Sequence, residues 1–144
     1  MFKNRVKNER GLTLVELLAV IVILGVIAAV AVPSIGNIIQ KSKEDGVKAD
    51  AIAILNAAKL YITEQNVDTT SGAVTITKDD LVDYLEDSGT EWQGNGPTIT
   101  YNSNNQLTIS GSATAGNKTL TFVNATIKDI NDDDSGDNNT TIPN

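Results

Sequence analysis

An apolar run near the N-terminus, with a single carboxylate at its start, constrains this chain more than any other feature. Residues 17–32 contain no polar side chain, and further apolar residues extend the run to Ile39. At about 1.5 Å per residue, a helix over residues 17–39 would span roughly 35 Å, enough to cross the roughly 30 Å hydrocarbon core of a membrane. The sequence therefore predicts a membrane-spanning helix with Glu16 at its beginning.

Basic residues are concentrated in front of this run. The first eleven residues carry four basic side chains and one acidic one, whereas the whole chain has a net charge of −7. Since cationic flanks tend to stay on the cytoplasmic side, we expect the residues after the span to lie outside. A secretory signal peptide also begins in this way, but the carboxylate of Glu16 and the length of the apolar run argue against one.

The composition excludes several classes of function. The chain has no cysteine and no histidine, so it cannot form disulfides, a thiol nucleophile, a Ser-His-Asp triad or a zinc site of the usual ligands. The residues after the first eleven carry a net negative charge. This argues against direct binding of nucleic acid, because phosphate contacts need a cationic surface. A Ser-Lys dyad or a carboxylate pair stays possible on composition alone.

After Gln40 the pattern changes from uniformly apolar to amphipathic. Apolar residues recur with a period near 3.6, which predicts that one continuous helix runs from about Leu12 to about Glu64. Its apolar face consists of Val47, Ala51, Ile54, Ala58 and Tyr61, widened by Leu55 and Ile62. Four charged residues lie outside this face: Lys48, Asp50, Lys59 and Glu64.

The remainder predicts a small sheet. Alternation with a period of two marks strands at 73–77, 98–101, 106–110 and 118–123, with 125–130 as an extension of the last one and 111–117 as a loop. Thr77 is the predicted N-cap of a short helix after the first strand. The predicted fold class is α+β, an antiparallel meander covered on one face by the amphipathic half of the long helix.

Two acidic stretches raise the question of a metal site. We interpret residues 79–87 as a solvated helix face. The acidic tail 131–144 is predicted to be disordered. Within it, Asn131, Asp133 and Ser135 follow the ligand spacing of the first half of a calcium loop, but Ile142 stands where a bidentate glutamate is needed. We predict no metal site beyond this partial match.

Glu16 is the residue that most needs an explanation. An unpaired carboxylate deep in a membrane costs about 2–3 kcal/mol, so such groups are usually paired or functional. One interpretation is that its side chain reaches the headgroup zone. The other is that cleavage after Gly11 creates an α-amino group on Leu12, one helical turn before Glu16, which pairs with it in the same chain or a neighbour.

The sequence Glu-Arg-Gly followed by Leu-Thr-Leu-Val-Glu-Leu-Leu resembles the class III signal of type IV pilins and pseudopilins. The resemblance covers about residues 3–62 and includes Gly11, Thr13, Glu16 and Pro33. It departs from the family at Leu12, where phenylalanine is commonest, although other apolar residues are accepted.

This resemblance implies a role for each of these positions. A prepilin peptidase would cut between Gly11 and Leu12, and the new N-terminus at Leu12 would be methylated. Thr13 and Glu16 would act in assembly. Gly25 and Pro33 would give the helix the flexibility to unwind locally in a filament.

The resemblance also implies an organisation and a function. The divisions are a leader at 1–11, a transmembrane and filament-core helix at 12–39, its amphipathic half at 40–65, a globular region at 66–130 and the tail at 131–144. The chain would be a structural subunit of a type IV pilus, not an enzyme, and would need no cofactor. It would be held in the cytoplasmic membrane with its C-terminal region outside, until an assembly platform polymerises it with other copies into an extracellular filament.

Two alternatives to a pilus subunit stay open. One is a pseudopilin of a type II secretion or competence DNA-uptake machine. The other is a monomeric membrane-anchored binding module. Many Gram-negative members of the family close their C-terminal region with a disulfide, and the major pseudopilin of type II secretion typically carries a calcium loop. Because this chain has no cysteine and no complete calcium loop, the resemblance implies a major pilin of a Gram-positive bacterium.

Overall fold

The computed structural model describes residues 5–86, 89–134 and 140–143, with the backbone alone described for 5–10. The chain forms two compact units, Met1–Ile39 and Gln40–Asn144, which are described separately below.

The longest element is the helix α1 (Arg5–Gln65), which contains Pro33. This confirms the predicted helix over 12–64, and the described helix also includes residues 5–11 of the predicted leader. From Gly11 onward α1 is long and apolar enough to cross a membrane. In the first unit its large apolar side chains are exposed, because no other described element of that unit packs against them.

The second unit contains a five-stranded mixed sheet. Its strands are β1 (Val74–Thr77), β2 (Thr98–Tyr101), β3 (Leu107–Ala115), β4 (Lys118–Ala125) and β5 (Thr141–Ile142), and they lie in sequence order across the sheet. The first four strands pair antiparallel, which confirms the meander. The fifth pairs parallel with β4, so the sheet is mixed.

The core of the second unit lies between α1 and one face of the sheet. The apolar face of α1 is buried at Val47, Ala51, Ile54, Leu55, Ala57 and Ala58. These residues form one cluster with sheet residues that include Ile99, Ile109, Leu120 and Phe122. The predicted cover of the sheet by the amphipathic part of the helix is therefore confirmed.

The predicted loop at 111–117 is wrong for most of its length, because β3 continues to Ala115. A β-bulge between Ile109 and Gly111 lets the strand pass this point. Gly111 has a φ of +154°, and a Cβ there would lie 3.1 Å from the Cα of Pro97. The glycine therefore marks a bulge and a close backbone approach, not the end of the strand.

The predicted helix after β1 is a short 3₁₀ turn, Asp79–Leu81, and Lys78 occupies its N-cap position in place of Thr77. Thr77 instead donates to Asp80: its backbone N–H and its hydroxyl lie 2.8 Å and 2.7 Å from Oδ2. The pKa of Asp80 is lowered by these two hydrogen bonds, the backbone one contributing most.

The predicted extension of β4 over 125–130 is wrong beyond Ala125, where the strand ends. A helix, α2 (Ile127–Asp132), follows the strand, and Thr126 is its N-cap. The Asp129 backbone N–H donates to the Thr126 hydroxyl at 3.2 Å, and the Thr126 backbone N–H donates to the Asp129 carboxylate at 2.8 Å. This reciprocal capping box turns the chain out of the sheet.

The predicted disorder of the tail is wrong for the residues described there. Thr141 and Ile142 pair with Thr121 and Phe122 of β4, and the side chain of Ile142 is fully buried. Ser135 of the partial calcium match lies outside the described residues.

Candidate processing and assembly segment

The apolar surface of the first unit dominates the candidate site. Seventeen large apolar residues between Leu12 and Ile39 are 51–71% exposed. Monomeric soluble proteins rarely expose contiguous apolar patches of more than a few hundred Å², so a surface of this kind indicates contact with a membrane or another protein.

Gly11 and Leu12, the predicted cleavage site, lie within α1. A Cβ added at Gly11 would meet no described atom within 4 Å beyond its chain neighbours and the local helix backbone. Packing of the described residues therefore does not require glycine at this position. The side chain of Leu12 is 67% exposed.

Leu12 and Glu16 are four residues apart on the helix, so their side chains are neighbours with Cβ atoms about 6 Å apart. Both side chains are exposed, as is that of Thr13. In the uncut chain the nitrogen of Leu12 belongs to the peptide bond with Gly11. The predicted amine–carboxylate pair thus stays a prediction that requires cleavage.

Gly25 and Pro33 both lie inside the helix, as predicted, and the helix continues through them. Pro33 has no N–H, so the carbonyl of Ala29 lacks its usual helical donor. Glycine in a helix costs about 1 kcal/mol relative to alanine. Both residues therefore lower the intrinsic stability of the helix in the part that contains them.

Sequence reasoning missed a group of buried polar side chains in the second unit. Glu44 and Lys48 are only 3% and 6% exposed, although the sequence pattern places Lys48 outside the apolar face of the helix. Lys48 forms an ion pair with Asp133, and Glu44 forms one with Lys118 at 3.1 Å. The four-residue spacing of Gln40, Glu44 and Lys48 indicates that the three side chains share one face of the helix. Their burial does not follow from the spacing, because their partners lie far away in sequence.

The ion pair of Lys48 also bears on the partial calcium match. The Asp133 carboxylate faces an ammonium group, and Asn131 is exposed. Within the described residues, no group of three or more histidine, cysteine, aspartate or glutamate side chains is arranged to hold a metal ion.

Comparison with known proteins points to the N-terminal segment. The model of the prokaryotic N-terminal methylation motif matches residues 6–32. The chain is 35% identical over 59 residues to the type IV major pilin protein PilA of Myxococcus xanthus, a match covering 41% of this chain and 27% of that protein. No solved structure matches.

Several relatives are named as type II secretion system core protein G. That of Klebsiella pneumoniae is 38% identical over 55 residues, covering 38% of this chain and 39% of the relative. That of Aeromonas hydrophila is 33% identical over 60 residues, covering 42% of each. The chain thus spans less than half the length of each of these relatives. The methylation motif and these relatives show that the N-terminal part of the chain is similar to that of type IV pilins and type II secretion pseudopilins, and the long apolar helix followed by a small sheet is consistent with that family.

Proposed function

We propose that this chain is a structural subunit of a type IV pilus filament, made as a membrane-held precursor and then polymerised through α1. The observation that carries the proposal is the exposed apolar surface from Leu12 to Ile39, which overlaps the methylation motif at residues 6–32. A membrane covers such a surface before assembly, and the same surfaces of neighbouring copies cover it afterwards.

Processing is the first step of this proposal. A prepilin peptidase cuts between Gly11 and Leu12, releasing the leader 1–11, and the new amino group of Leu12 is methylated. Gly11 lies in open space among the described residues, so packing does not block the access of a second protein to it. The chain supplies the substrate of this reaction and no catalytic group.

Assembly is the second step. The amino group of Leu12 pairs with the Glu16 carboxylate of a neighbouring copy, with Thr13 beside them, and this contact sets the register between subunits. An unpaired carboxylate in an apolar filament core is costly, so pairing favours the correct axial position. Gly25 and Pro33 let the helix adjust when it leaves the membrane. Residues 40–144 remain outside, at the surface of the filament.

Glu16→Gln tests the assembly step, because it removes the charge and keeps the size of the side chain. Glu86→Gln, which changes an exposed carboxylate of the second unit, is the matched control. We expect both variants to be cleaved and methylated, as read by intact mass. Filaments seen by electron microscopy should fall about tenfold or more in Glu16→Gln alone, because about 1.4 kcal/mol lost per contact is a factor of ten. Unchanged filaments in Glu16→Gln would contradict the role of Glu16.

Gly11→Val tests the processing step, with Gly36→Val as its control. Both glycines have open space around the added Cβ, so neither substitution disturbs packing of the described residues. We expect the Gly11 variant to retain the leader in its intact mass and the control to begin at Leu12 with one added methyl group. A wild-type protein with an uncut Met1 would instead support the membrane-anchored binding module.

A pseudopilin is the second candidate function, and the relatives named as type II secretion system core protein G favour it. The processing and assembly chemistry is the same in both proposals. The length of the filaments on cells separates them, because a pseudopilin forms a short filament within a secretion or DNA-uptake machine.

A further inference from the structure

Three polar residues stand on one side of α1 where the second unit begins. Gln40, Glu44 and Lys48 are four residues apart, so their side chains follow one another along the same face of the helix. The second unit starts at Gln40. The buried apolar residues of α1 begin at Val47 and continue to Ala58. The polar contacts therefore come first along the chain, before most of the apolar core.

Gln40 connects α1 to the turn between β3 and β4. Its Nε2 donates to the carbonyl of Ala115 at 2.7 Å and to Glu44 at 2.8 Å. Its Oε1 accepts from the backbone N–H of Asn117 at 3.1 Å. Both ends of the amide are thus used, which fixes its orientation.

Glu44 and Lys48 connect α1 to two further segments. Glu44 pairs with Lys118 at the start of β4 at 3.1 Å. Lys48 pairs with the carboxylate of Asp133, and its ammonium also donates to the Asp133 carbonyl at 3.0 Å. The helix is therefore tied at successive turns to the β3–β4 turn, to β4 and to the residue after α2.

Buried charges are a poor way to gain stability, because apolar residues of similar volume are often as stabilising or more so. Apolar contacts, however, are non-directional and tolerate sliding. Directional, charge-assisted hydrogen bonds do not, so they specify a single position of one element on another.

We propose that Gln40, Glu44 and Lys48 with their partners form a junction clamp, which fixes the register of α1 on the sheet and stops opening that begins at Gln40 from reaching the apolar core. The purpose of such a clamp rests on the proposed function: the apolar part of α1 exchanges a membrane for a filament while the second unit stays folded. When the clamp is broken, the turns of α1 around Glu44 and Lys48 open locally.

Hydrogen exchange followed by mass spectrometry on the full chain in detergent micelles tests the clamp. Lys118→Met removes the ion pair between Lys118 and Glu44. Gln40→Ala removes the hydrogen bonds of the Gln40 amide to Ala115, Glu44 and Asn117. We expect amide exchange in residues 44–50 to accelerate about tenfold or more in Lys118→Met, as expected for loss of a hydrogen bond to a charged group. The amides of Ile99 and Ile109 in the sheet should keep their protection.

Two controls separate the clamp from general stability. Ile54→Val weakens the core on the same helix, and we expect it to accelerate exchange evenly across the second unit. The charge exchange Glu44→Lys with Lys118→Glu should restore part of the protection at 44–50 relative to Lys118→Met, because the ion pair returns while the Gln40 amide loses its acceptor at position 44. The clamp is overturned if Lys118→Met and Gln40→Ala leave 44–50 unchanged, or accelerate it no more than Ile99.

This outcome is independent of the proposed function. Hydrogen exchange reads the clamp whether or not filaments form, whereas filament yield in Glu16→Gln reads the function. A failure of one leaves the other measurable.

Discussion

Lys48 on α1 and Asp133 after α2 form an ion pair whose side chains are only 8% and 6% exposed. The pair joins positions 85 residues apart in sequence. The Asp133 Oδ1 atom is buried and has no hydrogen-bond partner among the described residues. The pair is thus deeply desolvated and only partly satisfied.

Removing one partner of this pair should be far more damaging than replacing both. Lys48→Met leaves a buried carboxylate without its cation, so we expect a loss of about 3–5 kcal/mol in the free energy of unfolding. The double variant Lys48→Met with Asp133→Leu should recover most of the loss. Urea unfolding followed by the fluorescence of Trp92, the chain's one tryptophan, measures both.

Lys128→Met is the control for the Lys48 variant, since it breaks the exposed pair of Lys128 with Asp132. Exposed pairs contribute less than about 1 kcal/mol. A Lys48→Met variant as stable as Lys128→Met would contradict the importance of the buried pair.

Ile142 should contribute to stability like a core residue. Its side chain is fully buried, and Ile→Ala substitutions in cores cost about 2–5 kcal/mol. Val123→Ala on the neighbouring strand is the control, because Val123 is 49% exposed. The same urea experiment compares them, and equal midpoints would show that β5 is not part of the cooperative fold.

Asp129 should make the free energy of unfolding decrease at acid pH. The backbone N–H and then the hydroxyl of Thr126 bond its carboxylate and hold its pKa below the ordinary value of 3.8. Because the folded chain binds this proton less readily than the unfolded chain, the stabilisation is present above the unfolded pKa and is lost as the pH falls through the folded pKa.

Asp129→Asn tests this acid dependence. We expect it to lower stability near neutral pH and to make the loss of stability between about pH 5 and pH 2 shallower than in the wild type. Urea midpoints across this range give the comparison. If the urea midpoints of the two proteins fell in parallel as the pH is lowered, Asp129 would not contribute to the loss of stability in acid.

Gly116→Ala should loosen the contact of Gln40 with the β3–β4 turn. Gly116 has a φ of +66°, and its added Cβ would lie against Gln40 Oε1 and 2.8 Å from Lys43 Cδ. Gly94 has a φ of +65° but open space, so Gly94→Ala carries only the backbone cost of about 1–2 kcal/mol. Thermal unfolding should show Gly116→Ala to be the less stable variant, whereas equal stability would mean that Gln40 adjusts freely.

The helical part of the fold was largely predictable from the sequence. The period of 3.6 in residues 47–62 reports burial against a neighbour, and the structure buries that face. The four antiparallel strands followed from alternation. The bulge at Gly111 did not, because glycine marks turns and bulges alike.

The errors after β4 have two different origins. The capping box of Thr126 and Asp129 is a local signal at a three-residue spacing and was available in the sequence. The burial of Lys48 was not available, because it depends on Asp133, and no local pattern indicates a partner 85 residues away. The pairing of Ile142 with β4 is non-local in the same way.

The candidate site also has a part that the sequence predicts and a part that it does not. Gly11, Thr13 and Glu16 follow from the signal motif, and the structure adds that Leu12, Thr13 and Glu16 are exposed. The pairing of Leu12 with Glu16 requires a cut chain and a neighbouring copy, so neither the sequence nor one uncut chain displays it.

The parallel pairing of β5 with β4 has a consequence for biosynthesis. The apolar residues up to Ile39 leave the ribosome about a hundred residues before Ile142, which completes the core. Because chains emerge from the N-terminus, the helix that can cross a membrane is synthesised while the sheet still lacks its last strand. For the membrane-held precursor that we propose, insertion therefore precedes folding of the second unit, and the order of translation keeps the exposed apolar helix from waiting in water beside a finished domain.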